Sequence, residues 1–313
     1  MTEQEFLPPI PDFDAGRTRR AVRRGVLRTA LTAAVMLLVV VLLLNLGAQW
    51  FQRRGDRDDR MLNVLGTALQ VANPGYWTDV MRCCDTTPFS LSFTVRLTPL
   101  RAGGYSLAHQ FSGGAVFTVS QNQFGRVEWP PLGFSKETFL FTALDSVGQD
   151  APGKEDTKKV LDRLPESMYA LAVVEFAEPL GEREFSAFVQ RHGRVPPEIA
   201  IYRAGGTPIS WRLATPLPDA PQGDVPQLAA AELPRNGLTG FRRWVGGLRD
   251  HDAVNLEKFG LRLEPLRKSA ADGLAYAYVT QHARVRDLRA LSDDPQIRAI
   301  RLADVAYDLT GLN

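Results

Sequence analysis

The feature that most constrains this chain is a long stretch near its start that carries no charge. Thr29 to Gln52 form a run of 24 residues without a charged side chain, and Ala33 to Leu44 are twelve consecutive apolar residues. As a helix, this run reaches about 36 Å, which exceeds the roughly 30 Å of a bilayer's hydrocarbon core. A helix that is apolar on every side has no polar face to contact water. Its backbone N–H and C=O groups hydrogen-bond within the helix, which is necessary in lipid because no water is available there. The sequence therefore predicts a transmembrane helix over residues 29–52.

Two other interpretations of this run compete with a transmembrane helix. A cleaved signal peptide has a short basic region and a small residue before its cleavage site. Here 28 residues precede the run, and Leu46 lies where a small residue is expected. The other alternative is a buried helix of a soluble protein, which the six arginines just upstream disfavour. We therefore expect an uncleaved membrane anchor.

Positive charge at the two ends of the run predicts its orientation. Six arginines precede the run and four follow it, and the first group is the denser one. Cytoplasmic flanks of membrane helices are enriched in Lys and Arg, and the anionic inner leaflet attracts them. We expect a cytoplasmic tail over residues 1–28 and a C-terminal body outside the cytoplasm. The juxtamembrane basic cluster consists of Arg17, Arg19, Arg20, Arg23, Arg24 and Arg28.

Downstream of the run, apolar residues first continue at helical spacing. Leu62, Leu65 and Leu69 belong to this pattern, which Pro74 and Gly75 end. We expect a stalk helix over residues 53–75 that rises from the bilayer.

Residues 76–150 predict a β-rich extracytoplasmic segment. Phe89 to Leu97 alternate between apolar and polar side chains, which is the period of a half-buried strand. Glycine pairs at 103–104 and 113–114 separate further short strand-like runs. This spacing is typical of an antiparallel meander.

Residues 151–313 predict an α+β domain, because a strand–helix–strand pattern occurs in it twice. The first strand is almost entirely apolar, which suits the centre of a sheet. Two βαβ units in series are the minimal description of a ferredoxin-like domain. The predicted fold class is thus α+β: a single N-terminal transmembrane helix, a β-rich segment and a ferredoxin-like βαβ-βαβ C-terminal domain. The first pattern covers 169–176, 181–191 and 199–202, and the second covers 274–280, 285–291 and 297–305.

Sequence motifs for catalysis are missing from the chain. It contains no GxSxG, Walker-type, HExxH or GxGxxG motif. Its four histidines are scattered, with no His or Cys pair at the spacing of metal ligands. The formal net charge of +2 is too small for a general nucleic-acid-binding surface. We expect no enzymatic activity, no cofactor, no metal and no direct contact with nucleic acid.

Cys83 and Cys84 are the only cysteines and are adjacent. Across a trans peptide their Cα atoms would be about 3.8 Å apart, closer than in common disulfides, so a bond between them requires a strained ring. Such a bond is more easily reduced, which makes the two residues a candidate redox pair. The interpretation we favour is two partly buried small apolar side chains, or one bridge to another chain.

The N-terminal tail carries apolar residues between prolines and acids. Three prolines at positions 8, 9 and 11 prevent a stable helix, so the isolated tail is extended or disordered. Spaced apolar side chains on a short acidic peptide suit docking in a groove of a partner. An idle tail is the equally weighted alternative. The candidate partner-binding residues are Phe6, Leu7, Ile10 and Phe13.

Two segments of the chain also resemble a known family. In the first, Phe13 precedes the arginine cluster and the apolar run. In the second, Pro165-Glu166 leads into the apolar strand that ends at Phe176, and a helix follows around Phe185. These segments, over roughly residues 13–50 and 164–308, are similar to the N-terminal and C-terminal modules of the bacterial membrane-bound sigma factor regulators.

The resemblance implies an anti-sigma factor in the bacterial cell membrane, whose partner is an extracytoplasmic-function sigma factor. Residues 151–313 would then be its extracytoplasmic C-terminal module. The tail of 28 residues is short for a segment that occludes a sigma factor, which leaves room for a membrane helper protein. A homo-oligomer is a further candidate assembly.

The sequence thus predicts a single-pass regulator that couples an extracytoplasmic signal to control of a sigma factor. The alternative is a membrane-anchored extracytoplasmic binding or assembly module with no transcriptional role. A membrane-tethered hydrolase ranks third, because the motifs for hydrolysis are missing.

Overall fold

A computed structural model describes most of the chain. The described residues are 15–53, 57–87, 89–103, 114–128, 138–148, 154–204, 207–213 and 232–307.

The apolar run lies within one long helix, α1, which covers Ala15–Arg53. Its polar side chains bond to the backbone one turn earlier: Thr32 Oγ1 donates to Arg28 O at 2.8 Å, and Asn45 Nδ2 donates to Val41 O at 2.9 Å. These bonds satisfy polar groups inside the helix, as an apolar environment demands. The stretch from Gly16 to Gly47 is 0% buried and is long and apolar enough to cross a membrane. α1 therefore does not pack as a core helix of the described body.

The predicted stalk segment is helical but does not stand free of the body. α2 covers Arg57–Met61, a π-helical turn covers Leu62–Gly66, and α3 covers Thr67–Ala72. Most of its apolar side chains are buried in a core shared with the two sheets described next, and Leu62 and Ala72 are partly buried against that core. Asn73 ends α3, and its side-chain amide donates to Leu69 O at 2.9 Å. The helical spacing therefore belongs to a segment that packs on a protein core rather than to a stalk that rises free from the bilayer.

The first sheet is an antiparallel meander in the order β1-β2-β3-β4. The alternating run predicted as a strand lies in β2, where Leu91, Phe93, Val95 and Leu97 are buried and the residues between them are not. That strand prediction is confirmed. The buried face packs on α2 and α3. The strands are β1 (Tyr76–Thr86), β2 (Ser90–Pro99), β3 (Ala115–Asn122) and β4 (Val127–Glu128).

The second sheet has five strands in the order β7-β6-β8-β5-β9, and every neighbouring pair is antiparallel. The apolar strand β5 is an interior strand of this sheet, as its composition predicts. The strands are β5 (Tyr169–Leu180), β6 (Ile199–Ala204), β7 (Thr207–Arg212), β8 (Ala275–Arg284) and β9 (Ile297–Ala306).

Two βαβ units interleave in this sheet. β5–α6–β6 places its two strands on either side of β8, and β8–α10–β9 places its strands on either side of β5. β7 adds an edge hairpin that the sequence did not predict. The helices after α3 are α4 (Phe139–Asp145), α5 (Lys154–Asp162), α6 (Glu182–Arg191), α7 (Leu233–Gly247), α8 (Ala253–Lys258), α9 (Leu263–Asp272) and α10 (Val285–Ser292), with a 3₁₀ turn at Asp250–Asp252.

Both faces of the second sheet are covered. On one face, the ring of Phe176 meets those of Phe185 and Phe188 of α6 at centroid distances of 5.5 and 5.1 Å. On the other face, Leu140 and Leu144 of α4 complete a smaller cluster. The first face continues without a break into the core beneath the first sheet. The fold class is therefore mixed α+β, with one N-terminal apolar helix and two antiparallel sheets.

Candidate functional site

The juxtamembrane basic cluster lies on the first turns of α1, and all six of its arginine side chains are exposed. At 100° per residue, Arg17, Arg20, Arg24 and Arg28 fall on one face of the helix. Like charges at this spacing destabilise a helix by about 0.2–0.5 kcal/mol per pair. An anionic surface or partner along this face removes that repulsion, so the stripe is suited to contact with one.

The candidate partner-binding residues of the tail, Phe6, Leu7, Ile10 and Phe13, lie outside the described residues. Their predicted role stays a prediction.

Cys83 and Cys84 are joined by a disulfide bond, and the peptide bond between them is cis. The favoured sequence interpretation of separate thiols or a bridge to another chain assumed a trans peptide, and the structure differs from it. Both residues lie in β1, at the edge of the first sheet, and the side chain of Cys83 is exposed. The register of β1 against β2 shifts between Cys83 and Asp85, which is a β-bulge.

A charged concave surface lies at the start of β5. We call it the cationic groove; its volume is about 700 Å³. It lies where β8 ends and α10 begins, so strand and helix termini surround it. Its lining residues are Tyr169, Arg194, His282, Arg284, Arg286 and Asp287.

Aromatic and carboxylate partners hold the basic side chains of the groove. The guanidinium of Arg284 lies 5.4 Å from the ring centre of Tyr169, a cation–π distance. Asp287 lies 3.9 Å from Arg194 and 3.8 Å from Arg286. Arg194 and Arg286 therefore share one carboxylate, and the lining residues comprise three arginines and a single carboxylate.

His282 links the groove to the next strand. Its Nδ1 lies 2.7 Å from Oε1 of Glu198, which also accepts the backbone N–H of Gln281 at 3.1 Å. The hydrogen bond to Glu198 raises the pKa of His282, and partial burial opposes it. The groove therefore gains a further positive charge as the pH falls.

This arrangement can hold an anionic group by charge-assisted hydrogen bonds. Guanidinium groups recognise carboxylates and phosphates with paired N–H donors. Among the residues that the structure describes, no group of three or more His, Cys, Asp or Glu side chains is placed to hold a metal ion.

Sequence reasoning missed the groove, although a signal was available. His282 and Arg284 alternate at the end of β8, where alternation places strand side chains on one face, and Arg286 and Asp287 follow in the first turn of α10. Tyr169 and Arg194 come from segments about 90 to 115 positions earlier, so only the tertiary structure brings them to the groove.

Comparisons with known proteins add no further identification. No family model, no curated protein and no solved structure matches the chain.

Proposed function

We propose that this protein is a single-pass membrane regulator that couples an extracytoplasmic signal to control of an extracytoplasmic-function sigma factor. The observation that carries the proposal is how the membrane-length helix joins the body. α1 ends at Arg53, and the apolar side chains of the segment that begins at Arg57 belong to the core shared by the two sheets. Only three residues separate this segment from α1, so we propose that a shift in the body reaches the base of α1.

The proposed topology places residues 1–28 in the cytoplasm. Six exposed arginines at the start of α1 support this orientation, against four that follow the run. In this arrangement Phe6, Leu7, Ile10 and Phe13 are available to a cytoplasmic sigma factor, and a helper protein or a second copy completes the occlusion.

We propose that the second sheet belongs to a ferredoxin-like domain of the kind found in the C-terminal module of sigma factor regulators. The strand order β6-β8-β5-β9 and the two crossover helices, α6 and α10, support this assignment. β7 and the helices α7 to α9 are then additions between the two βαβ units.

The cationic groove is the proposed binding site for the signal. Its three arginines and His282 favour an anionic group, such as a carboxylate or phosphate of an envelope polymer. Binding would bias two arrangements of the body, and a coupling free energy of about 1–3 kcal/mol is typical of such regulation.

Deleting residues 2–16 while keeping the arginine cluster and α1 tests the transcriptional role. For the deletion, the proposal expects induction of a sigma-factor regulon, measured by RNA sequencing. A second experiment is a pull-down with a peptide of residues 1–28. A peptide that carries Phe6→Ser and Phe13→Ser should fail to recover the sigma factor. The matched control is the unchanged peptide, which should retain the sigma factor. A transcriptome that does not change after the deletion would overturn the regulator proposal.

The alternative function is a membrane-anchored binding or assembly module with no transcriptional role. The cationic groove favours it, because the groove needs no tail to bind an anion. Arg284→Gln/Arg286→Gln separates the two functions: a regulator loses its response to the envelope signal, whereas an assembly module loses its envelope partner and leaves transcription unchanged. Alkaline phosphatase fused after Asn313 should be active under either function.

A further inference from the structure

A second cavity lies at the base of the body, where the chain leaves α1. It has a volume of about 540 Å³ and is formed by α2, the turn between β3 and β4, and the segment from Arg249 to Asn255. We call it the juxtamembrane pocket.

The juxtamembrane pocket carries more positive charge than its partners neutralise. Arg57, Arg60, Arg126 and Arg249 line it, and Asp252 is the one carboxylate among its lining residues. Arg60 Nη2 lies 2.7 Å from Asp252 Oδ2, so Arg60 neutralises the charge of this carboxylate. The other three arginines have no carboxylate partner among the lining residues.

These three arginines differ in how they are held. Arg57 Nη2 donates to Asn122 O at 2.8 Å, and burial lowers the pKa of its guanidinium. The Arg126 and Arg249 side chains are exposed, and neither forms a salt bridge with another residue that the structure describes. A fixed guanidinium at the base and two adaptable ones at the rim can surround a small polyanionic group.

The rim of the juxtamembrane pocket is apolar. The side chain of Phe124 is 79% exposed at the tip of the β3–β4 turn, and that of Val254 is 51% exposed at the start of α8. An exposed aromatic tip beside arginines is typical of surfaces that meet the lipid–water interface.

Hydrogen bonds fix the β3–β4 turn, so the position of Phe124 at its tip is defined. Asn255 Nδ2 donates to Gly125 O at 2.8 Å, and Asn255 Oδ1 accepts the N–H of Val127 at 3.0 Å. Gly125 has a backbone φ of +76°, which residues with a side chain rarely adopt. Glycine at this position therefore allows the tight turn.

The distance from α1 places this pocket at the bilayer surface. Arg57 is four residues beyond Arg53, so their Cα atoms are at most about 14 Å apart even in an extended chain. The polar headgroup layer on each side of a bilayer is roughly 5–7 Å thick. With α1 across the membrane, the pocket is close enough for its rim to reach the headgroups of the leaflet that faces the body.

We propose that the juxtamembrane pocket binds the phosphate of an anionic phospholipid, while Phe124 and Val254 enter the interface beside it. Free phosphate has the same charge, but the apolar rim and the nearby end of α1 favour a lipid. The proposal requires that α1 spans the membrane and does not depend on a sigma factor, so its outcome is separate from the transcriptional test.

The test uses the full chain in nanodiscs of phosphatidylcholine alone or mixed with phosphatidylglycerol. Hydrogen exchange of the backbone amides from Asn122 to Arg126 is the local readout. A lipid that occupies the closed pocket at about ten times its Kd slows exchange about tenfold. We expect this slowing with phosphatidylglycerol in the unchanged chain and its loss in Arg126→Gln/Arg249→Gln.

The matched control is Arg163→Gln/Arg183→Gln, which removes two exposed arginines that do not line the pocket. This control should keep the lipid effect, because it removes the same amount of charge and leaves every lining residue of the pocket unchanged. Phe124→Ser should weaken the effect without changing the charge. Equal exchange in the two lipid mixtures would overturn the proposal. Slowing by inorganic phosphate in phosphatidylcholine nanodiscs, with no preference for phosphatidylglycerol, would overturn it in favour of a free anion.

Discussion

At the scale of single residues, the least expected feature is a buried glutamate in the most apolar strand. Glu175 of β5 is 2% exposed. Its carboxylate pairs with Arg301 and with Arg298 of β9, and it accepts the backbone N–H of Gly148 at 2.8 Å. These bonds connect the turn after α4 to the centre of the second sheet. A single glutamate in an apolar strand gave no sequence signal of this role.

Replacing Glu175 by Ala should lower the free energy of unfolding by about 3–5 kcal/mol, because the buried Arg301 would lose its partner. Urea unfolding followed by tryptophan fluorescence measures this loss. Glu178→Ala, an exposed position on the same strand, is the control and should change stability by no more than about 0.5 kcal/mol. Equal effects of the two variants would show that the Glu175 network contributes little.

The pair of His282 and Glu198 predicts a pH dependence with a definite sign. The hydrogen bond raises the pKa of His282 in the folded protein. Its contribution is therefore complete below the ordinary histidine pKa of about 6.5 and is lost as the pH rises through the folded value. His282→Asn should destabilise the protein more at about pH 5 than at about pH 8, by no more than about 1 kcal/mol because the pair is partly exposed.

Unfolding of both proteins across this pH range measures the difference. In a Glu198→Gln background the pH dependence of the His282→Asn effect should disappear. If it persists there, a different partner must set the titration of His282.

At the scale of elements, the segment from α2 to α3 shows what helical spacing can and cannot determine. The spacing of Leu62, Leu65 and Leu69 correctly predicts a helix. It does not determine what covers the apolar face, because a free stalk that pairs with a partner and a core helix require the same pattern. The two sheets supply the cover, and the β7 residue that bonds to α3, Ser210, lies 139 residues beyond Val71 in the chain.

Leu69→Ala should therefore lower the free energy of unfolding by about 3–5 kcal/mol, the usual range for a buried leucine that leaves a cavity. Chemical unfolding of the full chain in detergent measures it. Asn63→Ala, an exposed position on the same segment, should stay within about 0.5 kcal/mol. A small effect of Leu69→Ala would return this segment to the role of an exposed stalk.

Two of the elements that sequence reasoning missed, α4 and β7, share a physical cause. α4 is seven residues long, and β7 is a short edge strand that contains Pro208. Such short elements carry too few residues for a period to be recognised, and contact with the second sheet stabilises them. Longer elements with a full apolar face, such as β5 and α6, follow their sequence pattern closely.

At the scale of the whole molecule, α1 and the body are stabilised by different surroundings. The apolar stretch of α1 is 0% buried, whereas the body has a continuous core beneath both sheets. The body's free energy of folding should therefore depend little on α1.

Removing residues 1–53 should leave a folded body whose Tm in the same buffer changes by no more than about 4 °C, the equivalent of about 1 kcal/mol. Thermal unfolding followed by circular dichroism measures the Tm, with the full chain in detergent as the reference. Loss of the cooperative transition would mean that α1 contributes to the core.

The sequence alone determined the membrane-length helix, the two βαβ patterns and the buried face of β2, because each depends on a local period that a single segment carries. Only the tertiary structure decided that the helix after α1 is a core element, that Glu175 has partners in β9, and that distant arginines form the cationic groove and the juxtamembrane pocket. These features depend on strand order and on contacts between segments far apart in the chain. Hydrophobic periodicity specifies that a face must be covered, but it carries no information about which segment covers it.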